Sequence, residues 1–238
     1  MAAPPRGAPP RRRPLALDAV LLAAAGALQT LVFVRTEWWL FHLLAVALLA
    51  AGVATASPRR AALFGWAFGT AWLAAGTWWL FVSLHRYGGL PAWMAVLAVG
   101  ALSALLSLYL AAAMAGFARW RSGVPWRDAA LFAALWLLAE LARGVIFTGF
   151  PWVAAGYAQV DAPLARLAPW IGVYGIGFVA AALASWVAFA WTAGARRFAV
   201  AAVGTALVLS ALAFAPPAVF PQPTATLGGA PLQGNLPQ

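Results

Sequence analysis

PAWMAVLAVGALSALLSLYLAAAMAGFA, residues 91–118, runs for 28 residues without a charged side chain. A helix rises about 1.5 Å per residue, so roughly 20 residues cross the ~30 Å of hydrocarbon in a bilayer. The run is continuous rather than alternating, which argues for a helix and against a barrel strand. Outward from it, comparable runs recur at about 15–34, 37–56, 60–83, 128–147, 171–192 and 197–215, making seven in all. Composition agrees. Of the 238 residues, 65% are hydrophobic and 8% charged, where a soluble domain carries roughly a quarter charged residues. The chain is expected to be an all-α polytopic membrane protein with about seven transmembrane helices over residues 15–215, and its short connections make neighbouring helices antiparallel in one bundle.

The formal net charge is +10, and all 15 basic residues are arginine. They fall in short clusters between apolar runs, a pattern that marks topology rather than a nucleic-acid surface, so no nucleic-acid partner is expected. Eleven of them, from Arg6 through Arg59, Arg60, Arg119 and Arg127 to Arg197, lie on one side; Arg35, Arg86 and Arg166 lie on the other, and Arg143 falls within a span. This asymmetry predicts a cytoplasmic amino terminus and an outward carboxyl end. Residues 1–14, MAAPPRGAPPRRRP, are proline- and arginine-rich and are expected to form a disordered tail. The first apolar run has no convincing small-residue cleavage site before the next span and reads as a retained helix, with a cleaved signal as the open alternative.

Several chemistries lack their residues. Cysteine is absent, which removes disulfides, thiolate metal sites and a cysteine nucleophile from these residues. The two histidines, His42 and His85, come without an HExxH motif or a carboxylate cluster, so no metal is expected. His42 lies within an apolar span and suits a hydrogen bond to a neighbouring helix. His85 lies beside Arg86 at the outer interface, where a headgroup contact is open to it. Ser103, Ser107 and Ser185 have no glycine-flanked nucleophile motif, and Asp18, Asp128 and Asp161 lie near span ends rather than forming an intramembrane dyad. The glycines of GVYGIGF, Gly172 to Phe178, follow no strand; they read as helix-packing positions rather than a dinucleotide loop, and no cofactor is expected.

The outward connections hold the unusual sequence. SLHRYGGLPAW (Ser83 to Trp93) and TGFPWVAAGYAQVDAPLARLAPW (Thr148 to Trp170) combine glycine, proline and aromatic residues, as interfacial turns do. Before the second, Trp136, Glu140, Arg143 and Phe147 are spaced to form one helical stripe. Glu140 and Arg143, three apart, are able to neutralise each other. Two readings stay open for this pair: a structural pair that orients the outward loop, or a polar contact to a headgroup or substrate.

Three stretches in register, GTWWLFVSLHRYGGLP (Gly76 to Pro91), ALWLLAELARGVIFTGFPWVAAGYAQVDAPLARLAPWIGVYGIGF (Ala134 to Phe178) and LQGNLPQ (Leu232 to Gln238), resemble the bacterial apolipoprotein N-acyltransferase family. The resemblance implies a multi-pass enzyme of the inner membrane, with its working face in the periplasm. Its acyl donor is a phospholipid, and its acceptor is the amino-terminal amine of a diacylglyceryl-cysteine lipoprotein. It also implies a thioacyl-cysteine ping-pong mechanism, in which a glutamate base and a lysine act within a periplasmic nitrilase-like domain. These 238 residues contain neither cysteine nor lysine. The expectation is therefore a membrane portion that is inactive alone, with no catalytic residue of its own and with residues 216–238 a periplasmic linker into the first residues of a missing domain. Expected substrate-binding residues at the outward entrance are Gly149, Phe150, Pro151, Trp152, Gly156, Tyr157, Gln159 and His85. The alternative is a small lipid-binding or transporter-like bundle without catalysis.

Overall fold

The computed structural model describes residues 14–215, and all regular structure among them is helical. Expectations for residues 1–13 and 216–238, including the tail, the linker and LQGNLPQ, lie outside the described residues. Nine α-helices make up the bundle: α1 (Leu15–Leu28), α2 (Trp39–Val53), α3 (Pro58–Gly76), α4 (Trp79–Val82), α5 (Ala92–Leu106), α6 (Leu108–Trp120), α7 (Pro125–Val145), α8 (Ala168–Thr192) and α9 (Ala195–Ala213). Counted with their short 3-10 extensions, six segments are long and apolar enough to cross a membrane. A seventh is the pair formed by α3 and the stretch Trp79–Tyr87, bent by 52°.

Two expected straight spans are interrupted. The third bends after Gly76, where Val153 of the α7–α8 loop presses so closely that a Cβ on Gly76 would lie 2.8 Å from its Cγ1. The fourth divides into α5 and α6 at Ser107. There Ser103 Oγ donates to the Val99 carbonyl at 2.8 Å and Ser107 Oγ to the Ser103 carbonyl at 2.7 Å, back-bonds that bend helices.

Lipid tails are as apolar as leucine, so close packing rather than water exclusion must hold such helices together. The sequence supplies small residues where backbones meet. A Cβ on Gly26 of α1 would stand 2.2 Å from the Phe68 carbonyl oxygen of α3, and one on Gly65 would stand 2.8 Å from the Leu110 carbonyl oxygen of α6. Gly65 and Gly69 form a GxxxG pair against α6. Between these contacts an aromatic column fills the core. Trp72 stacks on Trp136 at 5.6 Å, Trp136 on Phe132 at 6.1 Å, and Phe117 on Phe189 at 5.1 Å.

Charge separates the two ends of the bundle. Arg60 Nη2 meets Asp18 Oδ2 at 2.6 Å, tying the start of α3 to the start of α1. Arg121 Nη1 donates to the Ala56 carbonyl at 2.8 Å, tying the α6–α7 turn to the end of α2. That turn also shares a cavity with Arg196 and Arg197. This is the arginine-rich end. At the opposite, arginine-poor end the Thr36 hydroxyl donates to the Asp161 carboxylate, bringing the first and fifth connections together.

Candidate functional site

The expected stripe on α7 is formed by Trp136, Glu140 and Arg143, which are all buried, but Phe147 departs from it and is 92% exposed. The helix ends at Val145, and Phe147 adopts φ 53°, ψ 53°, which turns its ring away from the helix face. Arg143 Nη2 and Glu140 Oε1 are 3.7 Å apart, each side chain about 5% exposed or less. The same two side chains also grip the α7–α8 loop. Arg143 Nη1 donates to the carbonyls of Phe150 at 3.0 Å and Trp152 at 2.6 Å, while Glu140 Oε1 accepts from the Ala155 amide at 2.8 Å. The guanidinium also lies 5.8 Å from the centre of the Trp72 ring. Beneath the pair, Trp72, Trp136, Glu140 and Arg143 help line a cavity of about 20 Å³, the size of one water.

The gripped loop is strained. Phe147, Thr148 and Val153 have φ of 53°, 70° and 53°, and they are the only non-glycine residues with positive φ among the described residues. Such conformations cost about 1–3 kcal/mol each and persist only where the surroundings enforce them. The enforcement comes from Glu140 and Arg143 below, from Val153 seated on Gly76, and from Trp152 edge-on to Trp79 at 5.5 Å. Gly156 presses the following turn onto α8, where a Cβ would lie 1.9 Å from the Val173 carbonyl oxygen.

The residues expected at the entrance divide between surface and interior. Pro151, Trp152 and Tyr157 are exposed, and Gly149 and Phe150 are half-buried. His85 is exposed; its Nδ1 donates to the Leu90 carbonyl at 2.8 Å and its ring faces Phe81. Gly156 and Gln159 do not reach the surface. The 3-10 turn Ala155–Gln159 lies between α2 and α8, so the Gln159 amide points inward and donates to His42 Nδ1 at 2.9 Å and toward the Trp39 carbonyl at 3.4 Å. Gln159→Leu removes that donor and is expected to cost about 1–3 kcal/mol. The thermal unfolding midpoint in detergent measures it, and an unchanged midpoint would show that the bond contributes nothing.

A feature the sequence did not single out adjoins this loop. A groove of about 960 Å³ lies between the α5–α6 span and α7, and Thr148, Gly149 and Phe150 close its end at the arginine-poor side. Small residues of both spans line it, Ala112 and Gly116 of α6 and Ala139 and Ala142 of α7, and Leu105 and Leu138, also in the lining, are exposed. Small residues four and three apart on two consecutive spans were the available signal. From Leu102 to Gly116 the helix rises about 21 Å, more than the ~15 Å of hydrocarbon in one leaflet. Among the described residues no three His, Asp or Glu side chains cluster to hold a metal.

Apolar spans, an open intramembrane groove and a strained loop at one end define a polytopic α-helical membrane protein. Residues 25–186 match the family described as Apolipoprotein N-acyltransferase N-terminal domain. The chain belongs to the apolipoprotein N-acyltransferase family. It is 42% identical over 234 residues to an apolipoprotein N-acyltransferase of Ralstonia nicotianae, covering 94% of this chain and 43% of that protein. It is 54% identical over 152 residues to one of Verminephrobacter eiseniae, covering 62% and 28%, and 44% identical over 168 residues to one of Pseudomonas putida, covering 70% and 33%. The chain therefore spans less than half the length of these curated relatives.

Proposed function

We propose that this chain forms the membrane part of an enzyme that moves an acyl chain from a phospholipid to the amino-terminal amine of a diacylglyceryl-cysteine lipoprotein, at the periplasmic face of the bacterial inner membrane. The observation that carries this reading is the groove, open toward the bilayer and ending under Thr148–Phe150. A lipid whose chain lies along Ala112, Gly116, Ala139 and Ala142 has its ester carried toward the loop that Arg143 and Glu140 hold. Confining and orienting a reactant in this way lowers the entropic barrier to its meeting a second one. Phe147 and Trp152, both exposed, stand where aromatic rings anchor at the headgroup level. The arginine-poor position of this loop supports an outward face. With no cysteine or lysine among the 238 residues, this reading gives the thioacyl chemistry to sequence beyond them and gives this chain the handling of lipid.

The test is acyl transfer from phosphatidylethanolamine to a diacylglyceryl lipopeptide in proteoliposomes. The 238-residue chain is expected to show none. Joined to the carboxyl-terminal remainder of the Ralstonia nicotianae relative, it is expected to become active, and Ala139→Trp in that fusion to lower the rate by about tenfold or more, a misplaced reactant costing up to ~10²-fold. Transfer by the chain alone, or full activity with the groove filled in a variant of unchanged unfolding midpoint, overturns the reading.

A further inference from the structure

The arginine-rich end holds a second cavity, of about 810 Å³, between α1, α2 and α3. Its lining differs in kind from that of the acyl groove. Arg60 and Arg121 contribute to its polar side with Asp18, and Leu21, Leu48 and Phe64 to its apolar side. We propose that this cavity binds the phosphodiester headgroup of an anionic phospholipid in the leaflet at the arginine-rich end, with an acyl chain lying against Leu21 and Leu48. The proposal is independent of acyl transfer, since it concerns the end of the bundle opposite the strained loop.

Four observations carry it. First, the cavity holds two guanidinium groups and one carboxylate, so one positive charge remains to meet the single negative charge of a phosphodiester. A zwitterionic headgroup brings its own ammonium and lacks that match. Second, the guanidinium groups keep free donors. Arg60 Nη2 is taken by Asp18 at 2.6 Å, and Arg121 Nη1 by the carbonyls of Val53 at 3.2 Å and Ala56 at 2.8 Å. Arginine has five N–H donors; the Nε and Nη1 groups of Arg60 and the Nε and Nη2 groups of Arg121 have no partner among the described residues. Third, both side chains are already fixed in place, Arg60 also by the Phe64 ring at 5.3 Å from its guanidinium carbon. Little side-chain freedom is then lost on binding.

Fourth, polarity changes with depth as it does in a lipid. Asp18 lies in the first turn of α1 and Arg60 in the first turn of α3, near the headgroup level. Leu21 follows Asp18 by one turn, about 5 Å deeper along the helix, and Leu21 and Leu48 are 49% and 47% exposed. Basic pockets between transmembrane helices recognise anionic headgroups through this pairing of charge above and apolar wall below.

The experiment is titration of the 238-residue chain in neutral detergent micelles with phosphatidylglycerol, phosphatidylcholine or glycerol phosphate, reading the unfolding midpoint and the bound lipid by native mass spectrometry. Phosphatidylglycerol is expected to bind at one site more than phosphatidylcholine, which has only the acyl groove open to it, and to stabilise the chain further; free glycerol phosphate is not expected to bind. Arg60→Gln should weaken phosphatidylglycerol about fivefold, the worth of one arginine at an anionic membrane surface. Asp18→Asn should strengthen it by about the same factor, because it releases Arg60 from its carboxylate. A merely structural ion pair does not yield a gain in affinity, and this variant decides the question even if Arg60→Gln fails to fold. Arg127→Gln, outside the cavity, should leave binding unchanged. Equal binding of both lipids, no gain with Asp18→Asn, or an equal loss with Arg127→Gln overturns the proposal.

Discussion

Replacing Arg143 by Met is expected to destabilise the bundle by about 3–5 kcal/mol, the cost of leaving a buried charge without its partner. Methionine nearly keeps the volume, so packing against Trp72 is largely retained while two sets of interactions vanish. Glu140, 4% exposed, loses its counter-charge, and the carbonyls of Phe150 and Trp152 lose their donor. The double variant Glu140→Gln with Arg143→Met removes the stranded charge yet keeps an oxygen for the Ala155 amide. It is expected to recover more than half of the loss in unfolding midpoint. Hydrogen exchange of the Trp152–Ala155 amides should nevertheless remain accelerated in the double variant, because the loop is still gripped by one side chain instead of two. A double variant as unstable as the single one would mean that the charge balance is irrelevant. Unaltered exchange would mean that the pair does not hold the loop.

Gly149→Val is expected to cost about 3 kcal/mol, the upper end of what one strained backbone position stores. Gly149 sits at φ 81°, ψ 152°, a region reserved for glycine, and an added Cβ would lie 2.0 Å from the Gly144 carbonyl oxygen and 2.6 Å from its carbon. Backbone surrounds the site, so no side chain is able to swing aside, and the turn that closes the groove must unwind. Gly123→Val is the matched control. Gly123 has φ 79° with nothing within 4 Å of its added Cβ, so only the left-handed penalty of about 1–2 kcal/mol applies. The difference in unfolding midpoint between the two variants isolates the collision. Equal losses would show that the Thr148–Phe150 turn yields freely.

The architecture was legible because a bilayer imposes lengths. A helix must carry about 20 apolar residues to cross it, and the runs around 15–34, 91–118 and 128–147 correspond to Leu15–Phe33, Ala92–Trp120 and Pro125–Thr148 in the structure. The bends were not legible. Ser103 and Ser107 look like ordinary small polar residues until their hydroxyls are seen on the carbonyls of the preceding turn. The 52° break after Gly76 depends on Val153, a residue far along the chain.

The region around FTGFPW was half legible. Spacing alone put Glu140 and Arg143 within reach of each other and made the glycines and proline a turn. It could not show that the pair bonds to the backbone of residues 150–155, because those contacts depend on the path of a loop that no periodicity describes. Gln159 shows the same limit: an amide in a glycine-rich outward connection reads as a surface residue, yet the turn places it against His42.

By itself the sequence determined the class of protein, the number of its spans and the division of its arginines between two ends, because hydrocarbon thickness and charge leave few alternatives. Only the tertiary structure decided which apolar residues face one another and which face lipid. In a soluble helix water marks the outer face, whereas in a bilayer the core and the solvent are equally apolar and the pattern loses its contrast. The apolar groove along Ala112 and Ala139, the aromatic column from Trp72 to Phe189 and the charged cavity at Arg60 and Arg121 became visible only once the helices were packed.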